Sequence, residues 1–127
     1  PDRLRPFLYD AALLVPPHFR LAEDRVDVAL LRAAIREGRK AEITYRSEDG
    51  RETVRVIWPI AVAYFDAQRL IVAWCELRQD FRTFRTDRML SMLVREEKYP
   101  ARRKALLKQW QDEAHVRDGL PQVDVFA

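Results

Sequence analysis

From Gly38 onward, hydrophobic residues of this 127-residue chain recur at every second position, in short runs separated by polar turns. Residues 41–46 and 51–58 both alternate in this way, and residues 47–50 between them end in an Asp-Gly pair typical of a tight turn. A side-chain period of two indicates a β-strand with one buried face. The two runs therefore predict a β-hairpin, and a mainly β fold is expected.

Further short apolar runs follow at regular spacing. Residues 60–65 and 69–77 flank a polar turn, Pro59 removes a ladder donor and marks a strand edge or bend, and residues 81–86 and 89–94 supply the last strands. Short strands joined by short turns suit a small closed or nearly closed antiparallel barrel, because closure removes exposed sheet edges. The sequence therefore predicts an antiparallel barrel of about five strands.

Two segments have the helical period. In residues 24–37 apolar positions recur every three or four residues, with Asp24 or Asp27 available as the N-cap and Gly38 as the terminator. This helix is expected to plug one end of the barrel. Residues 101–114 place leucines and a tryptophan on one stripe, which predicts a C-terminal amphipathic helix.

Composition favours a single globular domain, with 48% hydrophobic and 34% charged residues. The net charge is only +3, from 23 basic and 20 acidic side chains, so any nucleic-acid site must be local. No apolar run approaches the roughly 20 residues of a membrane helix, and the first residues lack the features of a signal peptide. A cytoplasmic protein without a membrane partner is expected.

The opening residues differ in character from the rest. The first 24 residues contain four prolines, and their apolar residues have no clean period. Pro-rich segments of this kind lie at domain boundaries. We therefore expect residues 1–24 to be a linker from an N-terminal domain upstream, residues 25–98 to form the barrel domain, and residues 99–127 to form the C-terminal helix and tail.

No catalytic or metal-binding pattern stands out. The two histidines, His18 and His115, have no Cys, His or carboxylate at metal-ligand spacing, and the single cysteine, Cys75, falls in an apolar run typical of a buried thiol. The three glycines do not form a phosphate-binding loop, and the acidic residues are scattered over turns and helix faces. The sequence predicts a binding protein rather than an enzyme, without cofactor or metal.

One basic segment is a candidate binding site. Residues 78–88 hold four arginines against two aspartates, a local net charge of +2, interleaved with aromatic side chains. In strand geometry Arg82 shares a face with Phe84, whereas Arg85 lies on the opposite face. Guanidinium groups match phosphate geometry bidentately, and aromatic rings stack on bases. The segment therefore predicts a site for an anionic ligand such as a nucleotide.

Simpler interpretations of the same residues stay open. The arginines of residues 78–88 can form surface ion pairs with Asp80, Asp87 or Glu76 and cap the barrel. The basic run at residues 102–104 is expected to be the solvated first turn of the last helix. We expect all three tryptophans to belong to the core: Trp58, Trp74 and Trp110.

Several strings of the chain resemble the WYL domain of DeoR-like, YafY-type bacterial transcriptional regulators. They are LLRAAIREGRKAEITYR, the Asp-Gly turn after it, RVIWP, and VAWCELRQDFRTFRTDRM, and their order and spacing match over residues 25–95. The last string is the most specific, and RRKALLKQW resembles the usual helical extension. The family's signature triplet of tryptophan, tyrosine and leucine aligns with Arg69, Leu70 and Ile71, so this chain departs from it at all three positions.

The resemblance implies an Sm-like or SH3-like barrel placed downstream of a winged helix-turn-helix domain. It also implies a homodimer, DNA binding through the N-terminal domain, and a ligand surface in this domain. Within this ligand surface, Arg82 and Arg88 are the strongest candidates for binding the anion. Carried over residue by residue, the ligand surface comprises Tyr45, Arg55, Arg82, Arg85 and Arg88, with Asp87 orienting a neighbouring arginine.

The expected function is a ligand-sensing regulatory domain of a bacterial transcriptional regulator. Its effector would be an anion, either a nucleotide or single-stranded nucleic acid, and would act only through a difference in affinity between domain arrangements. The alternative is a structural or dimerisation module without a ligand, suggested by the apolar Leu106, Leu107 and Trp110. A third interpretation, general RNA binding, predicts steep salt dependence without selectivity.

Overall fold

The architecture is mainly β, with a helix before the main strands and another after them, as the sequence predicts. The computed structural model describes residues 7–9, 25–65 and 67–118. No helix in these ranges is long and apolar enough to cross a membrane. In chain order the elements are β1 Phe7–Tyr9, α1 Val28–Glu37, β2 Arg39–Arg46, β3 Glu52–Phe65, β4 Gln68–Cys75, β5 Asp80–Arg85, a 3-10 turn Thr86–Arg88, β6 Met89–Lys98 and α2 Arg103–Asp118.

Helix α1 begins and ends at residues that the sequence singled out. Of the two candidate aspartates, Asp27 is the N-cap, and its carboxylate accepts hydrogen bonds from two backbone N–H groups of the first turn at 2.9 and 3.3 Å. Gly38 ends the helix in the left-handed conformation, with φ 67°. Between these caps, Leu31 and Ile35 are fully buried, so α1 packs one apolar face against the sheet.

The sheet is antiparallel throughout, with the strand order β5-β4-β3-β2-β6, and β1 pairs with β3. Strand β1 was not predicted, and the remaining residues of the expected linker lie outside the described ranges. The two strands expected on either side of Pro59 are in fact one strand, β3, of 14 residues. Pro59 is tolerated because the ladder with β2 ends at Ile57, and the register with β4 shifts between Pro59 and Ala61.

Of the closed and nearly closed barrels that the sequence allowed, the structure excludes the closed one. Strands β5 and β6 are the two ends of the sheet, and within the described ranges no pairing joins them. The chain nevertheless passes from Arg85 at the end of β5 to Met89 at the start of β6 in four steps, which span at most about 14 Å. The sheet is therefore strongly curled like a barrel, but its two edges stay unpaired.

Two apolar clusters cover the two faces of this sheet. The inner face, covered by α1, is formed around Leu31, Ile43, Ile57 and Phe84. The outer face is covered by α2, whose Leu106 and Leu107 are only 7% and 6% exposed. The two leucines that suggested a dimer interface are thus occupied within the domain itself. Cys75 is buried, as predicted, and the three tryptophans pack against the outer cluster.

Polar side chains fasten the strand ends on the outer side. Lys40 of β2 forms ion pairs with Glu76 at 2.9 Å and with Glu97 of β6 at 3.0 Å. The indole N–H of Trp58 donates to Glu76 at 2.8 Å, and the Trp58 ring stacks on Tyr99 with 9° between the planes. Hydrogen bonds from Lys40 and Trp58 hold the pKa of Glu76 below its usual value. Residues from β2, β3 and β6, with the turn after β4, are therefore joined in one network.

Replacing Tyr99 with phenylalanine tests this packing. The Tyr99 hydroxyl donates to the Pro59 carbonyl at 3.1 Å, so its loss should lower the free energy of unfolding by about 1 kcal/mol. Burial raises the pKa of Tyr99 to about 12. Because an unfolded tyrosine ionises near pH 10, about two units lower, the stability of the unsubstituted chain should fall as pH rises from about 10 to 12.

Urea unfolding at neutral and alkaline pH measures both effects. In Tyr99→Phe the neutral-pH stability should be lower, and the decline assigned to this phenol should be missing. An identical alkaline decline in the two proteins would contradict the assignment.

Candidate anion-binding site

Strand β5 presents its side chains to both clusters. Phe84 lies in the inner cluster and Phe81 in the outer one. Arg82 is paired across the ladder with Ala73 of the inner cluster, so it shares the inner face with Phe84. Arg85 alternates to the other side. The faces expected for the two arginines from strand geometry are confirmed, and the inner face carries Arg82.

Arg55 of β3 also belongs to the inner face, where it is paired with Ile43 and is only 9% exposed. Its Nε donates to the Thr53 hydroxyl at 3.1 Å, and its Nη1 contacts the Cys75 sulfur at 3.8 Å. The guanidinium carbon lies 5.7 Å from the centroid of the Phe84 ring. The side chain is therefore held from three sides against the inner face.

The positive charge of Arg55 has no counter-ion in the part of the chain that the structure describes: its partners are a hydroxyl, a thiol and an aromatic ring. Burying a charge costs several kcal/mol unless an opposite charge compensates it, and a cation–π contact returns only about 0.5 to 2 kcal/mol. A buried guanidinium without a carboxylate is thus well suited to an incoming anion.

Tyr45 forms the wall beside this arginine. Its ring meets Phe84 edge to face, with centroids 5.0 Å apart, and it is 8% exposed. The Tyr45 hydroxyl accepts a hydrogen bond from the backbone N–H of Arg85 at 3.0 Å. Because this bond uses an oxygen lone pair, the hydroxyl proton can still be donated to another acceptor. Tyr45 therefore links β2 to the end of β5.

Arg85 and Asp87 form a bidentate pair. Nε of Arg85 lies 3.0 Å from one carboxylate oxygen of Asp87, and Nη2 lies 2.7 Å from the other. The guanidinium holds the pKa of Asp87 below its usual value. For Arg85, then, the geometry agrees with the simpler interpretation, in which the arginine pairs with a nearby aspartate. Asp87 does orient an arginine, as expected, but a ligand role for either residue stays a prediction.

Arg82 and Arg88 have weaker ion-pair contacts than Arg85. The Arg82 side chain is 44% exposed and lies 3.9 Å from the Asp80 carboxylate, at the outer limit of an ion pair. Arg88 ends the 3-10 turn and forms no ion pair with any residue in the described ranges, although its charge also lowers the pKa of Asp87. Both guanidinium groups can therefore accept an anion at low cost.

The structure thus brings Tyr45 and Arg55 together through the Phe84 ring, and places Arg82 on the same face. The sequence analysis did not single out Thr53 and Cys75, which contact the Arg55 side chain. The position of Thr53, two residues before Arg55 on the same face of a strand, was a usable signal; the contact with Cys75 crosses 20 residues of sequence and left none. No cluster of His, Cys, Asp and Glu suited to a metal occurs in the described ranges.

The signature positions serve packing in this chain. Ile71 is fully buried in the inner cluster, whereas Leu70 packs against the outer one. The Arg69 guanidinium carbon lies 5.8 Å from the Tyr64 ring centroid. The three signature positions therefore carry one cation–π contact and two apolar contacts.

Comparison with known proteins agrees with the fold and with the resemblance. A family model described as WYL domain matches residues 27–94, more than half of the 127 residues. Among solved structures, the chain is similar to "Proteasome accessory factor B/C (PafBC) of Arthrobacter aurescens", with a TM-score of 0.54 and 28% identity. That match covers 57% of this chain but only 12% of the PafBC chain. None of the curated proteins matches the sequence.

Replacing Asp87 with asparagine tests the bidentate pair. The substitution should lower the free energy of unfolding by about 1 to 2 kcal/mol near neutral pH, because it removes the charge from a half-buried pair. The folded pKa of Asp87 is below its usual value, so its contribution is present above about pH 4 and is lost as pH falls through the folded pKa. The difference between the two proteins should therefore shrink in acid.

Denaturant unfolding at several pH values measures this difference. Asp112→Asn, at an exposed position of α2, is the matched control and should leave the stability nearly unchanged. An Asp87→Asn protein as stable as the control at neutral pH would contradict a contribution of the pair to stability.

Proposed function

The chain belongs to the WYL domain family, and from this membership we propose that it is the ligand-sensing regulatory domain of a bacterial transcriptional regulator. The effector is an anion, a nucleotide or a single-stranded nucleic acid, that binds the arginines of the inner face. The domain has no catalytic activity of its own in this proposal. The regulator acts in the cytoplasm as a homodimer, and a winged helix-turn-helix domain on the N-terminal side of this one contacts DNA.

The observation that carries this proposal is the buried charge of Arg55. Arg55 as a residue is only 9% exposed and, within the described ranges, forms no ion pair. Such a residue lowers stability while the site is empty, and an anionic ligand recovers this cost by supplying the missing charge. The loose contact between Arg82 and Asp80 adds a second guanidinium on the same face. This combination favours a ligand site over a purely structural domain.

Phosphate is the anion that these groups suit best. A guanidinium offers paired N–H donors that match two phosphate oxygens, and the Tyr45 hydroxyl proton adds another donor at the same wall. The Phe84 ring already contacts Arg55 and Tyr45, and the aromatic signature residues are absent. A nucleobase would therefore stack on the guanidinium plane of Arg82. A guanidinium plane stacks on bases as aromatic rings do.

Regulation follows from differential affinity. A ligand that binds the inner face more tightly in one domain arrangement shifts the regulator toward that arrangement, whereas a ligand with equal affinity for both shifts nothing. Arg88 at the end of the 3-10 turn is part of this ligand surface. The turn joins the two edge strands, so its position depends on the curl of the sheet. The proposal couples ligand binding at the arginines to the geometry of the whole sheet.

Arg55→Met distinguishes a ligand anchor from a structural residue. The substitution keeps an unbranched side chain of similar length but removes the charge. Binding of a short labelled single-stranded DNA should weaken by about 1.5 to 3 kcal/mol, or roughly 10- to 150-fold, for the lost charge-assisted contact. Without ligand, the free energy of unfolding should stay unchanged or rise by up to about 4 kcal/mol, because an uncompensated buried charge is gone.

Fluorescence anisotropy at two salt concentrations measures binding, with mononucleotides and cyclic dinucleotides as competitors that identify the ligand class. Arg51→Met is the matched control, since Arg51 is 84% exposed in the β2–β3 turn and should leave binding nearly unchanged. Arg82→Ala and Arg88→Ala should each weaken binding and leave folding intact. Normal binding by all three arginine variants, or equal losses in the Arg51 control, would overturn the proposed site.

A further inference from the structure

The excess positive charge of this chain is concentrated at the start of α2. Residues 102–111 hold four basic side chains and no acidic one, whereas the whole chain has a net charge of only +3. The rest of the chain therefore carries a net charge of −1. The start of α2 is thus more basic than residues 78–88, whose net charge is +2, and it contains none of the arginines of the proposed ligand surface.

Three of these four basic side chains are exposed: Arg102, Lys104 and Lys108. None of the three forms an ion pair with any residue that the structure describes. The fourth, Arg103, is half-buried, and its Nη1 donates to the Ile60 carbonyl at 3.3 Å, which fastens α2 to the sheet. The three exposed residues form a basic surface on the solvent side of α2.

These charges do not stabilise the helix itself. The free N–H groups at the start of a helix give it a partial positive charge, and α2 has no acidic residue in its first turn to match it. Arg102 and Lys104 add like charge at the same end. Lys104 and Lys108 lie four positions apart on one face, where like charges also repel. The pattern therefore costs stability in the free domain, and a negatively charged partner would remove that cost.

We propose that the basic surface binds the phosphate backbone of double-stranded DNA without reading its bases. Duplex DNA carries one negative charge per about 1.7 Å of its axis. Lys104 and Lys108 are separated by about 6 Å along α2, so both can contact phosphates of the same duplex. The inference rests on the proposed function only for the presence of DNA near this domain. There another domain contacts the DNA, and here the sensor domain adds a contact of its own.

Two features of α2 favour a duplex over other polyanionic partners. Proteins bind single strands with aromatic side chains on which bases stack, but the one aromatic residue among residues 103–113, Trp110, packs against the outer cluster. A helix that lies on a membrane needs a free apolar face, but Leu106 and Leu107 are only 7% and 6% exposed. The solvent side of α2 offers charge without stacking or insertion, and backbone contacts of a duplex need charge alone.

The basic surface and the proposed ligand site lie on opposite sides of the sheet. Helix α2 covers the outer face, whereas Arg55 and Arg82 belong to the inner face. A duplex on α2 and an anionic effector on the inner face therefore do not compete for the same side chains. The two sites can be occupied together and tested separately.

The double substitution Lys104→Gln with Lys108→Gln tests the basic surface, since glutamine favours a helix as lysine does. Fluorescence anisotropy of a short labelled DNA duplex, titrated with the full 127-residue chain, measures binding. In about 0.1 M salt the affinity should fall about 60-fold, because counterion release makes each phosphate contact worth about 8-fold there. The slope of log Kd against log salt concentration should fall by about 1.8.

Arg46→Gln with Arg51→Gln is the matched control. Both arginines are exposed at the β2–β3 hairpin, away from α2, and each forms an ion pair with a nearby carboxylate. Their loss changes the net charge by the same two units but should leave the salt dependence nearly unchanged. Equal losses of affinity in the two double variants would show a general effect of net charge and overturn the basic surface.

Thermal unfolding separates a binding role from a structural one. The lysine double variant should melt at the same temperature as the unsubstituted chain or higher, because a repulsive pair is gone. A clearly lower Tm would assign the two lysines to the fold and overturn the proposal. A single strand of the same length that binds through these lysines more tightly than the duplex would also overturn it.

Arg55→Met separates this proposal from the ligand site. The variant should bind the duplex as the unsubstituted chain does, and loss of duplex binding would contradict a separate surface on α2. An unsubstituted chain that fails to bind the duplex at low salt would overturn the proposal, even where single-stranded DNA still binds the inner face. Conversely, duplex binding that depends on the lysines would stand if no anion bound Arg55.

Discussion

The arrangement of this domain depends on one long strand, β3, and on the register shift beside Pro59. The first half of β3 pairs with β2, and the second half pairs with β4 and β1. At the change from one half to the other the register with β4 slips, which increases local twist and curls the sheet. That curl gives the sheet a concave inner face for α1 and a convex outer face for α2.

The curl also explains how a charged side chain comes to be buried. Arg55 lies in the first half of β3, yet it reaches Cys75 at the end of β4 and the Phe84 ring of β5. A guanidinium in such a place costs free energy that a hydrophobic side chain would not, and functional sites are where proteins tolerate that cost. Arg85 shows the opposite solution, because its charge is matched by Asp87 at two atoms. Two arginines of the candidate site thus differ in whether their counter-ion is built into the fold.

The strand ends and edges complete the arrangement. Lys40, Glu76 and Glu97 fasten the outer side where no regular ladder continues, and Tyr99 binds the Gly38 carbonyl and the Pro59 carbonyl, joining the end of α1 to the register shift. The charged residues of β5 protect one edge of the open sheet, and Arg82 among them belongs to the proposed ligand surface. Strand β6 forms the other edge, where residues 95–98 are all charged and the ladder with β2 is irregular at both ends. Because β5 and β6 are not joined, Arg82 lies on an edge strand of the open sheet, where its side chain is 44% exposed.

The sequence by itself determined the local features: the helix terminator Gly38, the hairpin turn, the opposite faces of Arg82 and Arg85, the buried Cys75 and the family. These depend on neighbouring residues and on periodicity, which one segment reveals alone. Only the tertiary structure decided that β3 is continuous, that the sheet stays open, and that Arg55 rather than Arg85 lacks a counter-ion. Those outcomes depend on contacts such as Arg55 with Cys75 and Tyr45 with Arg85, which join residues 20 and 40 positions apart. A periodic pattern shows which face a side chain takes, but the partner across that face is set by how distant strands pair and curl.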